Sequence, residues 1–193
     1  MTNFKCRLFL LAVAFLAVSA TSAKAQFTFD KPKTEPPLDN PYTMSVQREK
    51  IVDTVRDVLK TCSLQIDETL SKMNEGKIVT KPISFSKGVT TKSDLEHLST
   101  LPAGDVRNWV QGRFTLEITA LPLDQKRSQL LVVANIQGRV ADVVNPNKWI
   151  DCQSNGRLED EVLRGLAGKI LGIDLSMKTS SGRSNRRILT CEY

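Results

Sequence analysis

The chain has 193 residues, of which 40% are hydrophobic and 25% are charged, a balance typical of globular proteins. This composition excludes a wholly disordered chain, a collagen-like chain and a membrane protein with many spans. Aromatic residues make up 6% of the chain, which argues against a large stacking surface for single-stranded nucleic acid. The formal net charge is +6.

Residues 1–25 have the pattern of a secretory signal peptide. Lys5 and Arg7 precede an apolar run from Leu8 to Val18, and Ala23-Lys24-Ala25 supplies the small residues that a signal peptidase accepts. A membrane-spanning helix needs about 20 apolar residues, so this run is too short for one. We therefore expect cleavage before Gln26, export to the periplasm or the exterior, and no transmembrane segment in the mature chain. An uncleaved membrane anchor is the alternative.

The leader holds three basic and no acidic residues, so half of the net charge of +6 leaves with it. The mature chain therefore gives no general argument for a nucleic-acid partner. Residues 26–44 contain four prolines and few apolar positions, which predicts an extended linker.

An amphipathic helix is predicted to follow, with Ser45 as its N-cap. Its apolar positions recur at helical spacing and share one face, namely Ile51, Val52, Val55, Val58, Leu59 and Cys62.

The period then changes to two. Leu64 and Ile66 alternate with polar residues, and Met73-Asn74-Glu75-Gly76 has turn chemistry before Lys77-Ile78-Val79-Thr80. This pattern predicts a hairpin, with Pro82 ending the second strand or confining it to a sheet edge. The polar stretch from Ser86 to Asn108 predicts a long loop with one short helical turn.

Residues 113–120 carry the strongest strand signal, because apolar and polar side chains alternate strictly, as in a strand with one face in water. Residues 122–127 predict a turn. A more continuously apolar run begins at Leu130 and predicts a central strand that extends past Gly138 to Val144. Trp149-Ile150 is expected to pair briefly or to pack over the end of the sheet.

Ser154-Asn155-Gly156 precedes a second predicted helix, which ends at Gly172. Its acidic first turn suits the helix dipole. Its apolar stripe consists of Leu158, Val162, Leu163, Leu166, Ala167 and Ile170.

Two striped helices and a sheet with one apolar face need a common core. We therefore predict an α+β domain over residues 45–172, with an antiparallel sheet of about four strands and two helices packed on one face. A basic tail, residues 173–193, follows it.

The stretch from Arg48 to Ile83, with Gly76-Lys77-Ile78-Val79-Thr80 after its turn, resembles domains of a cell-envelope family. That family is the BamC subunit of the outer-membrane β-barrel assembly machinery, together with related small envelope proteins of unknown role. The resemblance covers roughly residues 45–172 in pattern. It implies a helix-grip-like fold, in which Ser154 to Leu171 is the closing helix, and a location in the cell envelope.

Cysteine placement predicts at most one disulfide bond in the mature chain. Cys6 lies in the leader, ahead of the apolar run, so it is not a lipid attachment site. Cys62 falls on the apolar face of the first helix, where cysteine acts as a small hydrophobe. That leaves Cys152 with Cys191 as the favoured pair. The other two pairings and three free thiols stay open.

The sequence carries no recognisable catalytic or metal-binding pattern. His97 is the only histidine, and its pairing with Cys152 as a nucleophile has no supporting spacing. The sequence has no zinc motif, phosphate-binding loop or hydrolase elbow, so we predict no cofactor and no metal. The carboxylates near the first helix indicate a solvated face, and these are Asp53, Asp57, Asp67 and Glu68.

Two features suggest binding. The tail could contact an anionic lipid surface through its basic residues, Lys178, Arg183, Arg186 and Arg187, although a disordered solubilising tail is the simpler interpretation. Trp109 and Trp149 flank the predicted strands, and an exposed tryptophan would indicate a contact surface.

The expected function is a non-catalytic binding or assembly module that meets another envelope protein through the exposed sheet face or the 86–108 loop. The alternative is a small-ligand carrier or hydrolase with a cavity between helices and sheet.

Overall fold

A computed structural model describes residues 36–142, 145 and 148–175. The expected signal peptide, most of the expected linker and most of the expected tail lie outside these residues. The order of elements is β1 (Tyr42–Met44), α1 (Arg48–Thr61), β2 (Lys77–Val79), β3 (Ile83–Lys87), α2 (Thr91–Leu98), β4 (Ser99–Thr100), β5 (Trp109–Pro122), β6 (Ser128–Val140), β7 (Trp149–Ser154) and α3 (Arg157–Leu171).

The protein has the predicted α+β class. Its described strands form one seven-stranded sheet in the order β2-β5-β6-β7-β4, with β1 beside β6 and β3 beside β5. Every pairing is antiparallel. The expectation of about four strands and two helices is coarser than this, since the described residues hold seven strands and three α-helices.

The long hairpin of β5 and β6 is the centre of the sheet. Even-numbered residues of both strands, from Gly112 to Ala120 and from Ser128 to Gly138, are buried and form the inner face. Helices α1 and α2 contact β5, α3 contacts β6, and α3 also contacts both other helices. All three helices therefore cover the inner face. The buried, even-numbered side chains of β5 and β6 lie on that face, so it is the side on which sheet and helices can share one core.

Two turn residues that the sequence indicates, Gly76 and Pro82, flank strand β2. Gly76 adopts a φ of 83° after the turn Met73–Glu75, and a Cβ atom there would collide with the carbonyl oxygen of Ala120. Ile66 pairs with Thr80 and Lys72 pairs with Lys77 in isolated bridges, so the predicted first hairpin is present only as two short contacts. Pro82 separates β2 from β3, and both strands pair with the outer side of β5.

Several local predictions were wrong. The N-cap of α1 is Gln47, because Ser45 directly follows strand β1. The predicted 26–44 linker is ordered within the domain from residue 36, where Leu38 packs on the core and Tyr42–Met44 pairs with β6. The 86–108 segment contains α2, which buries Leu95 and Leu98.

The strand predictions also need two corrections in length. The central strand β6 ends at Val140 and does not reach Val144, which lies outside the described residues. Strand β7 extends over Trp149–Ser154, longer than the brief pairing expected, because it pairs with β6 from Ile136 to Arg139.

Candidate functional site: the open face of the sheet

The side of β5, β6 and β7 opposite the helices is the open face of the sheet. Register fixes its members, because Arg113 lies opposite Gln137, and Gln137 lies opposite Asp151. These positions alternate with buried ones and are themselves partly or fully exposed. The open face comprises Arg113, Thr115, Glu117, Thr119, Val133, Asn135, Gln137, Arg139, Trp149 and Asp151.

Two arginines face one tryptophan on this surface. The guanidinium carbon of Arg113 lies 3.8 Å from the ring centroid of Trp149, and that of Arg139 lies 5.8 Å from it. Both distances allow attraction between a cation and the π face of the indole. The Nε atom of Arg139 is buried without a hydrogen-bond partner among the described residues. We call Arg113, Arg139 and Trp149 the arginine–tryptophan cluster.

A chain of side-chain hydrogen bonds holds the cluster in position. Arg113 Nε donates to Gln137 Oε1 at 2.8 Å, and Gln137 Nε2 donates to Asp151 Oδ1 at 2.7 Å. The chain crosses three strands and fixes the Arg113 side chain. Burial lowers the pKa of the Arg113 guanidinium, and the nearby charge of Asp151 opposes that shift. The cluster therefore presents a rigid, basic and aromatic surface.

Further along the open face, a salt bridge of 2.7 Å joins Lys77 Nζ to Glu117 Oε1. Glu117 is thus paired with a cation and does not face a second carboxylate across a cleft, as the acid–base pair of a glycosidase would. In the described ranges, no group of three or more His, Cys, Asp or Glu side chains could hold a metal ion.

A cleft of about 340 Å³ lies at the gap between β1 and β7 on the edge of β6. Side chains complete the edge there. Asn40 bonds both backbone groups of Val132, at 2.6 Å and 3.0 Å, and Glu159 accepts from the N–H of Ala134 at 3.2 Å. Because the backbone groups of Val132 and the N–H of Ala134 already have hydrogen-bond partners, we assign this cleft a structural role at the edge of β6.

A second cleft, of about 550 Å³, lies beside the segment that precedes β5 and includes Arg107 and Ile150 in its lining. The Asp105 side chain is only 3% exposed and accepts bonds from the backbone and guanidinium of Arg107 and from Trp109 Nε1. Hydrogen bonding from Arg107 holds the pKa of Asp105 well below its ordinary value. These hydrogen bonds fix the conformation of the segment from Asp105 to Trp109 that leads into β5.

The inner face has no space for a cavity at its two glycines. A Cβ atom on Gly138 would collide with the ring of Trp109, and one on Gly112 would lie 2.6 Å from the Phe85 ring. Aromatic side chains therefore fill the positions where the sheet lacks side chains of its own. This packing speaks against the alternative of a ligand cavity between the helices and the sheet.

The structure places the predicted cysteines differently from expectation. Cys152 is a free thiol on β7, whereas Cys62 is disulfide-bonded. The favoured Cys152–Cys191 bond is therefore wrong, because strand pairing opposite Ile136 turns Cys152 towards the inner side of the sheet. Cys191 lies outside the described residues.

The four basic tail residues that could contact an anionic surface also lie outside the described residues, and these are Lys178, Arg183, Arg186 and Arg187. His97 is exposed on α2, and its Nδ1 lies 3.0 Å from Arg157 Nη1. Cys152 Sγ instead lies 3.6 Å from the carbonyl of Ile150, so the two residues of the conceivable nucleophile pair have different neighbours. Trp109 is buried in the core, and Trp149 lies on the open face.

No pattern in the sequence directly indicates the arginine–tryptophan cluster. Alternation predicts a solvent-facing position for Arg113, and Trp149 flanks the predicted strands, but only the registers of β5 with β6 and of β6 with β7 bring the two residues together.

None of the helices in the described ranges is both long and apolar enough to cross a membrane. No protein-family model matches the chain, and no curated protein matches it.

Proposed function

We propose that this protein is an exported, non-catalytic binding or assembly module that contacts another protein of the cell envelope through the open face of its sheet. The observation that carries the proposal is the arginine–tryptophan cluster, in which Trp149 lies part-exposed beside two guanidinium groups. Tryptophan and arginine are the residue types most enriched among those that dominate binding energy at protein interfaces.

The rigidity of the cluster also favours binding. The hydrogen bonds from Arg113 to Gln137 and from Gln137 to Asp151 hold the guanidinium in place before any partner arrives. A side chain that is already ordered loses less conformational entropy on association than a mobile one. The partner that suits this surface is a protein with an acidic or carbonyl-rich patch, because the remaining guanidinium donors need acceptors.

Export and the envelope are supported by the leader pattern in residues 1–25 and by the resemblance of residues 45–172 to BamC-like domains. The role of an assembly module is the function that this resemblance favours. The second candidate, a carrier or hydrolase with an internal cavity, has less support because Trp109 and Phe85 occupy the space beside Gly138 and Gly112 on the inner face.

The test is affinity capture of partners from envelope extracts with matched charge reversals. Arg113→Glu removes a cluster cation from the open face, and Arg56→Glu makes the same change on the exposed side of α1, where Arg56 pairs with Asp53. The proposal expects one protein to be recovered with the unchanged chain and with Arg56→Glu but lost with Arg113→Glu. Equal recovery with both variants would contradict the open face as the contact surface.

A further inference from the structure

The arginine–tryptophan cluster holds two like charges on one indole. The guanidinium carbons of Arg113 and Arg139 lie 3.8 Å and 5.8 Å from the ring centroid of Trp149. The π face of the ring attracts each cation, but the two cations repel each other at this separation. An anion that contacts both guanidinium groups would relieve this repulsion and would be bound more strongly than an anion beside one of them.

The two arginines are held in different ways. Arg113 Nε donates to Gln137 Oε1 at 2.8 Å, so this side chain is fixed while a ligand can still bond to its two Nη groups. Arg139 Nε is buried and donates to no described residue. A buried donor without an acceptor destabilises the free domain, and departures of this kind from local stability are expected at functional sites. The hydrogen bonding of Arg139 would therefore improve when its side chain turns to an acceptor on a partner.

The charges around the cluster favour a ligand with one negative charge. Asp151 lies in the row of the sheet next to Trp149, where its Oδ1 accepts from Gln137 Nε2 at 2.7 Å. The two guanidinium groups outnumber this carboxylate by one, so a monoanion would neutralise the surface. A phosphate monoester carries a charge of about −1.5 to −2 at neutral pH, and Asp151 would repel the excess. A neutral carbonyl group would leave the repulsion between the two arginines in place.

We propose that Arg113 and Arg139 together bind one carboxylate, the side chain of an aspartate or glutamate on the partner protein, beside the indole of Trp149. This inference rests on the proposed function, because it takes the open face as the contact surface and adds the chemical group that is recognised. A guanidinium group matches the two oxygens of a carboxylate, and such charge-assisted hydrogen bonds are stronger than neutral ones. Arg113 supplies a donor group that is already ordered, and Arg139 turns its donors to the same carboxylate.

NMR titration of the purified chain with small probes tests this site. The probes are a blocked Gly-Glu-Gly peptide, the matched Gly-Gln-Gly peptide and inorganic phosphate, all at one ionic strength. We expect the Nε–H signals of Arg113 and Arg139 and the Nε1–H signal of Trp149 to shift and saturate with the glutamate peptide. The glutamine peptide should give no saturable shift, and phosphate should bind more weakly than the glutamate peptide.

Two substitutions that each remove one positive charge separate the cluster from general electrostatics. Arg139→Gln should weaken binding of the glutamate peptide by about tenfold or more, because it removes charge-assisted hydrogen bonds to the carboxylate. Lys87→Gln should weaken it by less than about twofold, because Lys87 is exposed on β3, and β5 lies between β3 and β6.

The same variants report on the stability of the free domain. Arg139→Gln should leave the urea midpoint of unfolding nearly unchanged, since it removes a donor that has no acceptor. Arg113→Gln should lower the midpoint, because it removes the bond to Gln137.

Equal binding of the two peptides, tighter binding of phosphate, or full binding by Arg139→Gln would overturn the inference. So would a fall in the urea midpoint for Arg139→Gln as large as that for Arg113→Gln. The proposed function fails separately, if no envelope protein is captured through the open face although the glutamate peptide binds there. A captured partner whose recovery is unchanged by Arg139→Gln would keep the proposed function and reject the carboxylate site.

Discussion

The guanidinium of Arg113 lies over the indole of Trp149, with 3.8 Å between the guanidinium carbon and the ring centroid. The two residues come from strands that do not pair with each other, β5 and β7, and β6 between them sets their spacing. Gln137 on β6 bonds to Arg113 and to Asp151 and so fixes the geometry. The contact therefore depends on three strands in correct register.

Trp149→Ala should weaken partner capture while leaving the domain folded. The cation–π contact at an exposed site contributes about 0.5–1 kcal/mol, so the free energy of unfolding should fall by about that amount. Trp109→Ala is the matched control, since it removes a buried indole and should cost about 3–5 kcal/mol. Urea unfolding of both variants measures the difference, and equal losses would contradict the assignment of Trp149 to the open face.

Gly138→Ala should destabilise the domain by overpacking, at a cost of about 1–3 kcal/mol. The added methyl group would collide with the Trp109 ring and lie 2.8 Å from Leu95 Cδ1. Because the two sites share one space, Gly138→Ala together with Trp109→Phe should cost less than the sum of the single changes. Additive costs in the double-mutant cycle would mean that the ring does not fill this space.

Asp105 should make the domain sensitive to acid. Its folded pKa is lowered, first by the hydrogen bond from Arg107, so its ionised form stabilises the folded state. That stabilisation is complete above the ordinary aspartate pKa of about 3.9 and is lost as the pH falls below it towards the folded pKa. Urea unfolding from pH 7 to pH 2 measures the free energy of unfolding of the unchanged chain and of Asp105→Asn. The gap between these two free energies should narrow only below about pH 4. A gap that stays constant to pH 2 would contradict the pairing with Arg107.

Reduction of the Cys62 disulfide should lower the stability of the domain. Removal of a native disulfide bond commonly costs about 2–5 kcal/mol. Thermal unfolding with and without a phosphine reductant measures this loss. Cys152→Ser should show the same loss on reduction, because Cys152 is a free thiol. Loss of the response to the reductant in Cys152→Ser would contradict a disulfide bond that leaves Cys152 out.

The sequence predicted the elements whose pattern is regular over many residues. Strict alternation from Phe114 to Ala120 correctly indicated a strand with one buried face, and the stripe from Leu158 to Ile170 indicated α3. Helix α2 escaped prediction because it has only two apolar core positions, Leu95 and Leu98, within a polar sequence. Its helical state depends on tertiary packing more than on its own pattern.

The candidate site was less accessible to prediction than the fold. The contact between Arg113 and Trp149 requires the pairing of Arg139 with Trp149. Strand β7 is too polar for its sequence pattern to predict that register. Register across a sheet is set by long-range packing, and a single residue of slip would turn Trp149 to the inner face. The short strand β1 was missed because three residues after a proline carry too little periodicity.

Site-specific photo-crosslinking in the cell tests the proposed contact most directly. A photoreactive residue replaces Asn135, which is exposed on the open face, or Asp57, which is exposed on α1. We expect one discrete adduct with an envelope protein from position 135, its loss when Trp149→Ala is added, and no such adduct from position 57. An adduct from position 57 alone, or from neither position in an exported and folded chain, would contradict the open face as a binding surface.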